Sequence, residues 1–519
     1  MFAKLKKLLG FKTTAEGQKI IINHEKLETR VALLEDGMLE EYTVERAGEE
    51  NIIGSIYKGV VRNIEPGLKA MFVDIGLEKN AFLHFWDAIP EALDAGLEEI
   101  KRGGKKQSKR ITAKDIPDLY PVGSEVLVQI TKGPIGNKGP RVSTNISLAG
   151  RFMVLMPRND QFGISRKIED PKERIRLRKI MEKLSVPENM GVILRTVSVG
   201  QKARFFVRDL SILIDQWADI EEQAKGKAPL CAFREPDLIE RTVRDFLTEE
   251  VGEVLCDDPA TVERMRDLVG IISRRSKKRI QHFQTTTPIF DKMGIQKQID
   301  DAFFRQVWLP SGGYLVIDET EALVAIDVNT GRAKNQDQMI LQTNIEAAQE
   351  VARQLRLRNI GGLIVVDLID MKNPRDRQAV YKAMKDRLKR DKAKTQVLPI
   401  SQLGLMEMTR QRLHESLSVT VAEPCQYCQG RGKIRSTATM SAEIQRRTHS
   451  ALAKYKGRLS ELLILVHPDV LERLRTRDSE LLVDIERRHN ARLTFRSDPT
   501  FHREQFVIRD PSNGQEITP

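Results

Sequence analysis

Two stretches of the chain share one plan: Gly312–Gly331, GGYLVIDETEALVAIDVNTG, and Gly361–Met371, GGLIVVDLIDM. Each opens on Gly-Gly and runs through apolar, β-branched residues to an aspartate. That pattern predicts two buried strands, each delivering a carboxylate at its end. Side chains alternate along a strand, so Asp327 and Asn329 are expected on one face while Ile326 and Val328 enter the core. The intervening stretch, about 337–358, has apolar residues at Ile340, Leu341, Ile345, Ala348, Val351, Ala352 and Leu355, a helical spacing, and Gly361 stands where a helix would stop. Strand, helix and strand make a βαβ unit whose crossover sets two parallel strand ends side by side. Asp327, Asn329 and Asp367 would then converge at the carboxyl edge of the sheet, where α/β proteins place their sites. Two carboxylates and a carboxamide are hard oxygen donors suited to Mg²⁺. Aspartates that merely cap strands would leave the same letters. Asp370, three residues past Asp367, is a secondary candidate that faces the other way in a continuing strand.

At 519 residues the chain is long enough for several domains. A hydrophobic content of 40% and a charged content of 30% are ordinary for a globular protein. No apolar run reaches the length of a membrane span, and the first residues lack the uncharged core of a signal peptide. Four cysteines give no disulfide framework. Together these lead to the expectation of a cytoplasmic protein. A net charge of +12 favours a polyanionic partner, nucleic acid above all. Met1–Phe11, MFAKLKKLLGF, suits either a short basic amphipathic helix on anionic lipid or a frayed terminus.

Residues 50–147 predict a small barrel of short strands, with turns at Pro66-Gly67 and 76–80. Phe72 and Phe82 are spaced to share one exposed face, with Tyr57, Phe85 and basic residues nearby. Aromatics on a basic sheet face form the stacking platform of a single-strand binder; the other reading places both phenylalanines in the core. Lys101–Arg110, KRGGKKQSKR, reads as a flexible basic loop. Further on, GVILRT and ARFFVR predict strands at 191–196 and 203–208, and Arg195-Thr196 at a strand end is a candidate anion site or an ordinary surface pair. Residues 237–276 read as charged helix, 376–394 as a basic helix.

Cys425-Gln-Tyr-Cys428-Gln-Gly430-Arg-Gly432 is half of a zinc site: two thiolates on a tight turn whose glycines let backbone N–H groups reach the sulfurs. Cys231 and Cys256 are isolated, so the same motif from a second chain would complete four thiolates across a dimer. A redox dithiol is the competing reading. The remainder, 435–519, predicts a small α/β domain with helices near 441–456 and 469–489.

Assembled, these parts resemble the ribonuclease E/G family nearly from end to end. The resemblance runs through Phe72, Phe82 and GNKG at Gly136–Gly139, the ISLAGRFMVLMP run at Ile146–Pro157, and LRT at Leu194–Thr196. It continues through LPSGG at Leu309–Gly313, TEALVAIDVN at Thr320–Asn329, the run Ala352–Met371, and CxxCxGxG. It implies a multidomain α/β fold: an RNase H-like shell in two parts (1–50 and 241–303) around an S1 (OB-fold) RNA-binding domain (51–147) and a 5′-sensor (148–240). A DNase I-like catalytic subdomain (304–423), a zinc link (424–434) and a small domain (435–519) follow. It further implies a Mg²⁺-dependent endoribonuclease cutting A/U-rich single-stranded RNA in rRNA processing and mRNA decay, leaving 5′-phosphate and 3′-hydroxyl ends. Its catalytic residues would be Asp327 and Asp367 on Mg²⁺, assisted by Asn329. Phe72, Phe82 and Lys138 would grip RNA, and Arg195 and Thr196 a stimulatory 5′-monophosphate. Cys425 and Cys428 would share Zn²⁺ between chains of a homodimer, with a homotetramer as the next assembly. Gln426 departs from the proline common in the family, and Lys101–Arg110 has no family role. A non-catalytic S1-type RNA-binding factor is the alternative.

Overall fold

The computed structural model describes residues 17–48, 51–89, 97–99, 112, 115–134, 138–247, 250–272, 276–330, 337–412, 416–455 and 458–517. Met1–Phe11 and Lys101–Arg110, where lipid contact and a basic loop were expected, lie outside them. The chain divides into two compact units, Met1–Thr420 and Val421–Pro519. Among the described residues no helix is long and apolar enough to cross a membrane.

In the first unit an antiparallel meander, Gln18–His24, Glu28–Glu35 and Met38–Arg46, extends on its first strand into parallel pairing with Val251–Cys256, and thence Ile280–His282. One sheet therefore joins chain segments more than two hundred residues apart, with the intervening sequence inserted between them. Here the all-helical expectation for 237–276 is corrected. Helices Leu238–Asp245 and Pro259–Ile272 flank the strand, which buries Val251, Val254 and Cys256. A six-residue strand in a parallel pair has no polar alternation to separate it from the helices around it.

The first insert is a barrel: Ile56–Glu65, Ala70–Asp74, Ala81–His84, Arg141–Ser143 and Glu125–Lys132, closed by pairing of the first with the last. Val61, Met71, Val73, Leu83, Val128 and Ile130 fill it. Tyr57 and Phe85 belong to this core as well, apart from the face that carries Phe72 and Phe82. A second insert forms a sheet including Met153–Pro157 and Met190–Leu194. The strand expected at 203–208 is instead the start of helix Ala203–Gln223, whose Phe206, Leu210, Leu213, Trp217 and Ile220 are buried at helical spacing. The six-residue window, with Phe205, Phe206 and Val207 in a row, has the aromatic and β-branched content of a strand; the helical period appears only over the longer stretch.

The last sheet of this unit runs, in spatial order, Gln306–Trp308, Tyr314–Glu319, Leu323–Asn329, Gly362–Asp367, Leu405–Arg410 and Thr395–Val397. Leu323–Asn329 and Gly362–Asp367 are parallel and joined by helix Asp337–Leu357, the expected βαβ unit. The stretch from Gly312 is a hairpin rather than one strand: Thr320 Oγ1 donates to the Leu323 carbonyl at 2.7 Å, turning the chain between two strands. Nor are these strands buried on both sides. Leu315, Ile317, Ile326, Val328, Ile364, Val366 and Met406 pack under helices Asp337–Leu357 and Pro374–Leu388. The opposite face is exposed.

The second unit is a three-stranded sheet ordered Arg492–Ser497, Glu461–Val466, Phe506–Arg509, with helices Thr437–Lys454, Pro468–Thr476 and Ser479–His489. The single helix expected near 469–489 is thus two. Asp478 between them accepts from Arg473 Nε at 3.0 Å and from the Ser441 hydroxyl at 2.6 Å.

Candidate active site

The Gly-Gly pairs answer two backbone demands. Gly312 sits at φ +88° and Gly362 at φ +108°, where a side chain is strained. Gly313 meets a neighbouring strand instead: a Cβ there would lie 2.6 Å from the Asn329 carbonyl oxygen. The first pair lets the chain enter the sheet tightly beside Asn329, while the second opens its strand at the opposite end, five residues before Asp367.

Alternation then orients those residues. Val324, Ile326 and Val328 are buried, while Ala325 and Asp327 are exposed and Asn329 half-buried. Asp327 and Asp367 are direct register partners on neighbouring parallel strands, a strand spacing of about 4.8 Å. Asn329 Nδ2 donates to Asp327 Oδ2 at 2.8 Å. The three residues singled out from sequence therefore meet on one open face. Asp318, on the same face, is held by Arg305 through two hydrogen bonds. Among the described residues neither Asp327 nor Asp367 has an ion-pair partner. Two unneutralised carboxylates one strand apart, with an amide on one of them, suit a hard divalent cation. No group of three or more His, Cys, Asp and Glu among the described residues is placed to hold a metal. Asp370 falls beyond the strand, which ends at Asp367, so the face argument does not reach it.

One positioning residue escaped the sequence reading. Asn344 is fully buried, donates to the Ile369 carbonyl at 2.8 Å and accepts from the Ile369 N–H at 3.1 Å. It pins the segment leaving Asp367 to the crossover helix. A lone asparagine on that helix's apolar face was the available sign.

On the barrel, Phe72 and Phe82 are cross-strand partners, half-exposed, with ring centroids 5.8 Å apart. Lys138 is exposed beside the strand that pairs with Phe82. Arg195 follows strand Met190–Leu194, and Thr196 opens an exposed turn. Arg195 Nη1 donates to the Gly150 carbonyl at 2.6 Å, and Nη2 pairs with Asp245 at 2.8 Å. Burial pushes the Asp245 carboxyl up, but Arg195 and Arg244 outweigh it and hold it below its ordinary value. Arg195 also borders a half-open cavity of about 760 Å³ lined by Arg151, Asp209, Asp245 and Lys392.

In the second unit Cys425 is exposed and Cys428 half-exposed on a turn with Gln429, Gly430 and Gly432 at positive φ. The backbone N–H groups of Cys428 and Tyr427, then the Cys428 thiol, hold the Cys425 thiol below the ordinary cysteine range. His502 Nε2 lies 2.7 Å from the Tyr427 carbonyl, and Arg431 pairs with Glu504 at 2.8 Å, mooring the turn. The turn supplies two sulfur donors, and a tetrahedral site needs two more.

Comparison with known proteins agrees with this layout. Residues 147–413 match the Ribonuclease E/G family, and residues 424–511 match its RNase E/G thioredoxin-like domain. Ribonuclease G of Escherichia coli strain K12 is 36% identical over 494 residues, covering 94% of this chain and 99% of that protein. Ribonuclease E of the same strain is 39% identical over 436 residues, 83% of this chain and 40% of that protein. Ribonuclease E of Haemophilus influenzae is 36% identical over 507 residues, 96% of this chain and 53% of that protein. With an open carboxylate pair at its sheet face and relatives matched along nearly its whole length, the chain belongs to the ribonuclease E/G family.

Proposed function

We propose that this chain, an endoribonuclease by its family, cuts single-stranded RNA at Asp327 and Asp367 with Mg²⁺ as cofactor. The carrying observation is that pair: register neighbours, exposed, without a cation partner among the described residues, on the same face as an Asp318 that has one. A protein that only binds RNA gains nothing from bare carboxylates facing a polyanion. Asp327 and Asp367 would hold the ion, while the Asn329 amide fixes the Asp327 carboxylate and keeps its own oxygen for the ion's shell. Mg²⁺ bound there supplies Lewis acidity toward a phosphate oxygen and lowers the pKa of a coordinated water. The products are 5′-phosphate and 3′-hydroxyl ends, in rRNA processing and mRNA decay.

Phe72 and Phe82 offer the barrel's stacking surface and Lys138 a phosphate contact, with A/U-rich segments the preferred substrate. Arg195 and Thr196 receive a 5′-monophosphate that stimulates cleavage: the guanidinium keeps N–H groups beyond those given to Gly150 and Asp245, and Thr196 adds a hydroxyl. Cys425 and Cys428 bind Zn²⁺ with their counterparts from a second copy, making a dimer. The chain's four free cysteines suit a reducing cytoplasm.

The test is cleavage of a short A/U-rich RNA carrying either a 5′-monophosphate or a 5′-hydroxyl, with Mg²⁺ or with excess EDTA. Internal cuts only with Mg²⁺, faster on the monophosphate, are expected. Binding without cleavage in any divalent metal would move the protein to the class of RNA-binding factors.

A further inference from the structure

The open face of the catalytic sheet carries two aromatic side chains that the reading above does not use. Trp308 lies on the edge strand Gln306–Trp308 and is 66% exposed, a large apolar surface left in water. Its register partner is Tyr314, half-exposed, and their rings lie 5.3 Å apart, tilted by 59°. Tyr314 is in turn the register partner of Asn329. Register partners share a face, so Trp308, Tyr314 and Asn329 form one row across three strands. Asp327 and Asp367 occupy the next row of the same face. At a strand spacing of about 4.8 Å, Tyr314 stands one strand from Asn329 and Trp308 two.

From this placement we infer that Trp308 and Tyr314 bind the base of a nucleotide flanking the scissile phosphate, stacking an unpaired RNA base while the phosphate meets Asp327 and Asp367. The inference rests on those aspartates being the catalytic pair. Stacking uses a π face that every base has, so a tilted aromatic pair accepts any base and requires only that the base be unstacked. That restricts cutting to single strands at the site of chemistry itself, independently of the barrel. It also fixes the nucleotide beside the phosphate, which converts binding into positioning. Gly313, between the two aromatics in sequence, lets the Tyr314 strand lie close against Asn329.

The experiment uses full-length protein, Mg²⁺ and a 5′-monophosphorylated RNA with one mapped cut, alongside the same RNA made abasic at either nucleotide flanking that cut. Trp308→Ala is expected to lower kcat/KM by roughly 5- to 150-fold, the range of one base stack, and Trp308→Phe to keep most of it. An abasic flank on one side should cost the wild type a similar factor and cost Trp308→Ala nothing more. Losses that multiply between abasic RNA and Trp308→Ala, or a wild type indifferent to both abasic flanks, would overturn the inference while leaving the endonuclease standing. A wild type that cuts neither RNA would overturn the endonuclease reading, and this inference with it. If Trp308→Ala instead changes the sedimentation of the protein, the aromatic pair is a contact between copies and the inference fails.

Discussion

Asp318, Asp327 and Asp367 lie on one sheet face, and only their partners separate structure from chemistry. The Asp318–Arg305 pair is exposed, so its loss costs little stability. We expect Asp318→Asn to keep near-normal RNA cleavage, measured as initial rate; a loss as deep as that of Asp367→Asn would mean the face acts as one acidic surface. Asn344 is the opposite case, distant from substrate yet joined by two hydrogen bonds to the chain leaving Asp367. Asn344→Ala leaves the N–H and C=O of half-buried Ile369 without their partner, at up to about 1–3 kcal/mol each. It should lower both the denaturation midpoint and kcat, and an unchanged midpoint would refute the clamp. Asp327, Asn329 and Asp367 were legible because strand parity is a local property. Asn344 was not, since its partner lies 25 residues away.

The βαβ unit was readable because its helix keeps a helical period and its second strand is a continuous apolar run ending in aspartate. The hairpin before it was not, because Thr320–Ala322 is a three-residue turn without Gly or Pro between two equally apolar strands. Helix Ala203–Gln223 was missed for a related reason: its first six residues are rich in strand-favouring Phe and Val, and its amphipathic face emerges only over several turns. The Cys425–Cys428 turn was legible from spacing, and its backbone geometry carries a chemical consequence. Backbone N–H groups favour the Cys425 thiolate, whereas burial pushes the Cys256 thiol up to about 12. With metal stripped by chelator near neutral pH, iodoacetamide should label Cys425 first and leave Cys256 unlabelled until the chain unfolds. Mass spectrometry that found Cys256 alkylated as fast as Cys425 would contradict this. Added Zn²⁺ should protect Cys425 and Cys428 together.

Across the first unit, buried ion pairs join segments that sequence reading treats separately. Glu40 of the N-terminal meander receives both Arg356 and Arg387 from the two helices behind the sheet that carries Asp327 and Asp367. Arg410, on the sheet itself, pairs with Asp391 at 2.7 Å and donates to the Ile360 carbonyl at 2.7 Å, with both charged groups nearly inaccessible. Such pairs leave no local signature, since each half reads as an ordinary charged residue. Removing one partner leaves a buried charge uncompensated, so Asp391→Ala should destabilise the unit by about 3–5 kcal/mol in urea unfolding. A change below about 1 kcal/mol would show that water reaches Arg410. The proposed activity turns on chemistry at two carboxylates. The decisive measurement is cleavage and binding of one A/U-rich, 5′-monophosphorylated RNA by the wild type and Asp327→Asn in Mg²⁺. We expect turnover to fall at least about a hundredfold while the RNA Kd stays within about threefold, since binding rests on other residues. Near-normal cleavage by Asp327→Asn would contradict the account and return the paired aspartates to a structural role.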